Sequence, residues 1–317
     1  MTIITLLGAK DFRDILSGYD AGSYRSHKHI PWALQNTVYL LKTTRGRYVL
    51  KILEESDVDF FKYQLRIIDY ASRKKLPVAR MIKSLDGKEL IIHEGKRMCL
   101  QKFIDGTEPR KYTPALIADI ATKSGRLSKA LMRLKLNRRY IWIKDHQFKP
   151  KGPRRSIVEG INILKEEQEL LKELKAIDRG KLRRSVIHGD LHGVNLLVKD
   201  DKLLAIIDWD DCHEDYLAQE LAVILLDPCV RRAGVRKDRL KLMLREYQKH
   251  VKLNHEEKKA TYYFIRKRVI TTIYWLQRQM KAHPDMKRSL ERMLKKKLKI
   301  YEKIKAFRLE EFLELAR

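Results

Sequence analysis

Val186-Ile187-His188-Gly189-Asp190-Leu191-His192-Gly193-Val194-Asn195-Leu196-Leu197-Val198-Lys199-Asp200-Asp201-Lys202-Leu203-Leu204-Ala205-Ile206-Ile207-Asp208-Trp209-Asp210-Asp211 decides the fold. Two short apolar runs, 196–199 and 203–207, flank the polar Asp200-Asp201-Lys202 and predict a β-hairpin. A hairpin's register follows from its turn. With the turn centred between Asp201 and Lys202, Asn195 stands opposite Asp208, and directly opposed residues lie about 4.5–5.5 Å apart at Cα. The expectation is an amide oxygen and a carboxylate emerging together at the open end of the hairpin, beside the loop that carries Asp190. Hard oxygen donors of this kind suit Mg²⁺, which is usually shared with substrate phosphates. Asp190, five residues before Asn195, is then left over to act as a base.

His188-Gly189-Asp190-Leu191-His192, Asn195-Leu196-Leu197 and Ile207-Asp208-Trp209 resemble the catalytic and metal loops of the aminoglycoside phosphotransferase, choline kinase and homoserine kinase group, spore-coat kinase-like proteins included. The same geometry underlies the protein-kinase H-R-D-L-x-x-x-N and D-F-G motifs. The resemblance covers roughly residues 30–230. It implies an α+β, bilobal protein kinase-like fold with a small antiparallel β-sheet lobe containing one main helix and a large, mostly helical lobe. It also implies ATP as co-substrate and Mg²⁺ as cofactor. Phosphoryl transfer is catalysed mainly by positioning and charge neutralisation. In that scheme Asp190 orients or deprotonates a substrate hydroxyl while Asn195 and Asp208 hold the metal. His192 stands where protein kinases place a lysine toward the transferred phosphate, and is either a hydrogen-bond donor there or a structural histidine. His188 braces the loop backbone. Glu220-Leu221-Ala222 sits where the family carries D-L-A, and is read as helix capping and lobe structure.

The N-terminal part is strand-rich. Ala9–Leu16 reads as a short helix and Gly18–His29 as a polar loop. Thr37–Leu41 and Tyr48–Leu53 read as strands around the Thr43-Thr44-Arg45-Gly46 turn. Lys51, between Leu50 and Ile52, points to the face opposite its neighbours; the resemblance makes it the lysine that grips the nucleotide phosphates. The acid that should pair with it falls near Gln64, which is neutral, and Glu55, Asp57, Asp59 and Asp69 stay open as substitutes. The turn Ile30–Gln35 lacks the glycines of a protein-kinase phosphate loop. A helix over Phe60–Arg73 and strands at Arg80–Ser84, Glu89–His93 and Arg97–Phe103 follow. Met98–Ile104 resembles the last small-lobe strand and hinge, which implies that adenine meets Gln101 and Phe103 through their backbone. Asp105-Gly106-Thr107-Glu108-Pro109 is the expected boundary between a nucleotide-binding lobe, 1–104, and a helical lobe, 105–317.

Beyond that boundary helices are expected over Pro114–Leu136, Ser156–Ile177 (with Ser156 and Glu159 as a capping box), Lys237–Val251, Glu256–Lys281 and Asp285–Phe307. A basic connection, Asn137–Pro153, separates the first two.

At 317 residues with 44% apolar content the chain can bury a large core. Cys99, Cys212 and Cys229 are widely spaced and set up neither a disulfide framework nor a metal site. With no apolar run near 18 residues, the expectation is a soluble, cytoplasmic protein. The net charge of +28 comes from basic pairs and triplets such as Arg266-Lys267-Arg268 and Lys295-Lys296-Lys297. They read as solvated helix faces, with non-specific contact to a polyanion as the functional alternative. Asp208–Asp215 holds five acids in eight residues. They lie where the family lines its acceptor pocket, so the resemblance makes Asp210, Asp211 and Glu214 the expected substrate residues, with a second metal, an Arg partner or, as the sharper alternative, an amine on the acceptor to compensate their charge. The reading is an ATP- and Mg²⁺-dependent kinase acting on a hydroxyl of a small molecule of amino acid, amino alcohol or sugar type. A protein Ser/Thr kinase on the same fold and a kinase-like binding module for polyanions are the alternatives.

Overall fold

The computed structural model describes residues 4–31, 36–54, 57–136, 148–149, 157–158, 160–231 and 233–317. The chain divides into two compact units: Met1–Thr107 with Leu204–Asp210, and Glu108–Leu203 with Asp211–Arg317.

The first unit is built on a six-stranded antiparallel sheet: β1 (Tyr24–His29), β2 (Thr37–Thr43), β3 (Gly46–Leu53), β4 (Met81–Ile82), β5 (Ile91–His93) and β6 (Lys96–Lys102). The order is β1-β2-β3-β6-β4, with β5 also on β6. Period-two alternation gives the sheet two apolar faces. Tyr39, Leu41, Leu50, Ile52, Met98 and Leu100 meet Phe12, Ile15 and Leu16 of helix α1 (Ala9–Ser17). Leu53 and Cys99 pack instead with Phe61 and Leu65 of helix α2 (Val58–Arg73). A fully buried Leu or Ile contributes about 1.5–3 kcal/mol, so Leu50→Ala, at a 0% exposed position, should cost about 2–5 kcal/mol. Lys51 falls between the α1-side residues Leu50 and Ile52 and lies opposite Cys99 in the β3–β6 register, which puts it on the second face. The stretch read as a polar loop contains β1, an edge strand. Its central residues Arg25, Ser26, His27 and Lys28 are all exposed, so it carries no alternation signal, and charges on an edge discourage pairing with another chain.

In the second unit helix α3 (Pro114–Leu131) begins with Pro at its first position and is capped by Thr113, whose Oγ1 accepts from Leu116 N at 3.1 Å. The helix expected from Ser156 starts at Ile163. A short hairpin, β7 (Ile157–Val158) and β8 (Ile161–Asn162), comes first, and Asn162 caps α4 (Ile163–Lys175), accepting from Lys165 N at 3.0 Å. The Ser156–Glu159 box, Trp32–Gln35, Glu55 and nearly all of Asn137–Pro153 lie outside the described residues. Strand β9 (Arg184–Ile187) precedes the catalytic stretch. The hairpin follows as β10 (Leu196–Lys199) and β11 (Lys202–Ile206), and then β12 (His213–Tyr216), which pairs with β9. The remainder is α5 (Leu217–Cys229), the small hairpin β13 (Val230–Arg231) and β14 (Gly234–Val235), α6 (Lys237–Gln248), α7 (His255–Ala282), α8 (Lys287–Lys305) and α9 (Leu309–Leu315). Helix α7 is the axis of this unit and packs on α4, α5, α8 and α9. No helix among the described residues is long and apolar enough to cross a membrane.

Candidate active site

The hairpin turn sits at Asp200–Asp201, both left-handed (φ +48° and +57°), as a two-residue type I′ turn requires. That centre is one residue earlier than the sequence reading placed it. Asp208 therefore lies two residues past the end of β11, outside the ladder, and is itself left-handed at φ +62°. Its position is set by this local bend and not by a hairpin register.

In the first unit Lys51 is ion-paired with Asp210, whose other oxygen accepts from Asn36 Nδ2 at 2.9 Å. Burial tends to lower the Lys51 ammonium, but the carboxylates of Asp210 and Asp208 outweigh it and hold the lysine above its ordinary value. The partner of Lys51 thus comes from just past the hairpin and not from α2. Asp57 is the cap of α2, accepting from Asp59 N at 2.9 Å; Asp69 pairs with Arg73 at 2.9 Å; Asp59 is exposed. At the expected hinge Phe103 N donates to Arg47 O at 3.2 Å, and Gln101 lies between Val49 of β3 and Met81 of β4. The Arg47 guanidinium covers the Phe103 ring at 4.1 Å.

The second unit carries the loop. Asp190 Oδ2 accepts from His192 Nε2 at 3.1 Å and Asn195 Nδ2 at 3.2 Å, and Oδ1 is paired with Arg268 of α7. Asn195 Nδ2 also donates to Asp190 O at 2.9 Å. Both amide hydrogens are committed to Asp190, so the amide oxygen is turned away from it. Burial would raise the Asp190 carboxyl, but the His192 hydrogen bond and the Arg268 and imidazole charges hold it far below the usual carboxylate range.

The loop is braced from beneath. Glu220 of α5, 3% exposed, accepts from His188 N at 2.8 Å and Gly189 N at 3.2 Å. Its carboxyl is raised by burial, against the pull of His188 and those two N–H groups. Buried His188 accepts from Asp190 N at 3.3 Å. Gly189 is left-handed (φ +82°), and a Cβ there would run into Asp211 O and the His213 ring. Only glycine fits.

A model described as the phosphotransferase enzyme family matches residues 27–250. The chain belongs to that family. It is 25% identical over 288 residues to a homoserine kinase of Methylobacillus glycogenes (89% of this chain, 88% of that one) and 26% identical over 283 residues to one of Zymomonas mobilis (82% and 83%). The solved structure of a microcompartment-associated aminopropanol kinase aligns at TM-score 0.74 and 15% identity, covering 97% of this chain and 100% of that one. An amicoumacin kinase solved with AMP-PNP and Ca²⁺ aligns at TM-score 0.72 and 14% identity (95% and 96%). The phosphotransferase therefore has the protein kinase-like fold.

Two of the three acids expected in the acceptor pocket have ion-pair partners. Asp210 is the counter-ion of Lys51. Glu214, on β12, faces Arg184 at 3.7 Å. Asp211 gives its carbonyl to His213 Nδ1 at 2.7 Å. Reading the sequence missed Asp227, whose Oδ2 accepts from Gly193 N at 2.7 Å and lies 3.9 Å from His192 Nδ1. It also missed Arg268 and Lys297, basic residues that it placed on solvated faces. Lys297, on α8, is half-buried. No local pattern marks these residues, because each depends on which side of a helix meets the loop.

Proposed function

We propose that this phosphotransferase moves the γ-phosphate of ATP, with Mg²⁺, to a hydroxyl of a small molecule of amino acid, amino alcohol or sugar type. The observation that carries the reading is the Asp190–Asn195 unit: a carboxylate fixed by its neighbours, with an amide five residues on whose nitrogen faces it and whose oxygen is turned away from it. The relatives named homoserine kinase and aminopropanol kinase act on acceptors of this class.

The donor set fits a hard divalent cation. Asn195 Oδ1 and the Asp208 carboxylate are the oxygens that would hold Mg²⁺, and the Asn195 amide already has both hydrogens occupied. Held there, the ion would supply positive charge to offset that of the nucleotide phosphates. Lys51 gives the phosphates a cation that Asp210 holds ready in their absence. Asp190 receives the acceptor's hydroxyl at Oδ1. Because its carboxyl stays ionised well into acid, Asp190 orients the hydroxyl more than it abstracts the proton, as suits a loose, dissociative transfer. His192 keeps Oδ2 in place and completes the charge around the loop.

The test is ADP release from ATP with a panel of hydroxylated amino acids, amino alcohols and sugars, with and without Mg²⁺. Turnover with at least one acceptor, lost on chelation, is expected. Turnover unaffected by chelation, or phosphorylation of protein substrates alone, would sink the reading.

A further inference from the structure

We propose that the acceptor carries an anionic group, a carboxylate or a phosphate, held by Arg268 and Lys297 beside the loop of Asp190, which also walls a cation-lined cleft. The inference rests on the phosphotransferase reading above and adds the charge of the substrate.

The cleft encloses about 570 Å³ within the second unit, and the loop residues Gly193 and Val194 form part of its wall. Arg110, Lys111, Arg231 and Arg239 line it against only Glu108 and Asp227. Two of these cations are fixed in place: the Arg231 guanidinium lies over the Tyr112 ring at 5.2 Å, and Arg239 Nη1 donates to Pro228 O at 3.2 Å. A concave surface with this excess of positive charge draws in anions and repels amines.

Asp227 links the cleft to the catalytic carboxylate. It lines the cleft, and its Oδ2 accepts from Gly193 N, next to His192. Lys297 lies in the field of Asp227, Arg268 and Asp190 together. Among the described residues no carboxylate is within ion-pairing distance of its ammonium. A half-buried ammonium that no carboxylate contacts directly gains from an anion that a ligand brings.

The arrangement at Asp190 points the same way. Oδ2 carries two donors and Oδ1 carries Arg268. A carboxylate oxygen has two lone pairs, so the remaining place for a hydroxyl is on Oδ1, against the guanidinium. Whatever the acceptor bears next to its hydroxyl meets Arg268 there. Guanidinium binds carboxylate or phosphate through paired, charge-assisted hydrogen bonds; an ammonium in the same place meets a like charge. Two of the three acids from which an amine-binding wall was expected are already paired, Asp210 with Lys51 and Glu214 with Arg184.

The experiment uses matched acceptors that differ in the anionic group: L-homoserine with its amide, which keeps the ammonium and loses the carboxylate, and glycerol phosphate with glycerol, with aminopropanol as a further cationic case. ADP release and nucleotide-free binding by calorimetry are both measured, on wild type, Lys297→Ala and Arg268→Lys. The expected result is preference for one member bearing the anionic group over its counterpart lacking it, on the order of 100-fold in kcat/KM, the favoured pair telling carboxylate from phosphate. Lys297→Ala should raise KM for that acceptor and erase most of the preference, with KM for ATP unchanged. Equal or better use of the uncharged or cationic members overturns the inference. So does a Lys297→Ala variant that loses kcat equally for both members of a pair, which would assign the lysine to the transferred phosphate. Anion binding without ADP release would leave the anion site standing and reject the phosphotransferase reading.

Discussion

Lys267 and Arg268 are consecutive residues of α7, carry the same charge and each hold one carboxylate, yet they do different work. A helix advances about 100° per residue, so the two point to different surroundings. Lys267 and Glu167 are both at 0% side-chain exposure. Lys267 Nζ also donates to Lys149 O at 2.8 Å, and Tyr274 donates to the second Glu167 oxygen at 3.1 Å. Arg268 and Asp190 keep 25% and 21% exposure, and most of the five guanidinium donors remain open to another acceptor. The buried pair is saturated and closed to exchange; the pair at the loop has room for a third party. Charge pattern does not distinguish them. Saturation and access do.

The largest effect should come from the open pair. Asp190→Asn keeps an oxygen for Arg268 but removes the charge that orients the hydroxyl, and should lower kcat by about 10²–10⁴ while Tm stays near wild type. Unchanged turnover in a folded variant would remove Asp190 from the chemistry. It would also leave the two pairs equivalent.

The closed pair should show the opposite pattern. Glu167→Ala strands a buried ammonium and should cost about 3–5 kcal/mol of stability, read by urea unfolding, with kcat per folded molecule unchanged. Replacing both partners, Glu167→Leu with Lys267→Met, should restore most of that loss, because no charge is then left unpaired. If the double variant were as unstable as the single one, the pair would contribute through more than its charges.

What the sequence revealed follows the same division. The loop from His188 to Asn195 and the strand lysine are short local motifs, legible through their family resemblance, and the helical second half is legible because apolar spacing sets which residues share a face. The two core faces of the sheet follow from alternation in β2 and β3. Lys51–Asp210 spans 159 positions and Asp190–Arg268 spans 78. No periodicity encodes such partners. Strand β1 was invisible for another reason: an exposed edge strand needs no apolar alternation. The turn was misplaced by one residue because Asp-Asp-Lys offers two possible centres, and only backbone conformation chooses between them.

Glu220 gives a smaller effect that separates bracing from chemistry. Glu220→Ala leaves the His188 and Gly189 N–H groups unsatisfied and should cost about 1–3 kcal/mol, with a fall in kcat as the loop loosens. Glu220→Gln keeps one accepting oxygen and should lie between that variant and wild type in both Tm and kcat. Equal losses in the two variants would mean that the negative charge, and not the acceptor oxygen, holds the loop.

The smallest effect is a pH dependence in which the two carboxylates of this loop oppose one another. Asp190 has its folded value depressed, so its stabilising contribution is present above the unfolded carboxylate range, near about 3.9, and is lost as pH falls through the folded value. Glu220 has its folded value raised by burial. Its contribution is present below the unfolded value, near about 4.3, and is lost as pH rises through the folded one. In the interval that opens above the unfolded glutamate value, then, Glu220 alone of the two still changes charge in the folded protein. Stability of wild type relative to Glu220→Gln should decline as pH rises through that interval, because only wild type must ionise a buried carboxyl. Chemical unfolding of both proteins across the interval measures it. A difference that stayed flat, or that grew with pH, would show that the loop's N–H groups and neighbouring imidazoles already compensate the Glu220 charge, and the contrast between a carboxylate built to stay ionised and one built to brace would lose its electrostatic basis.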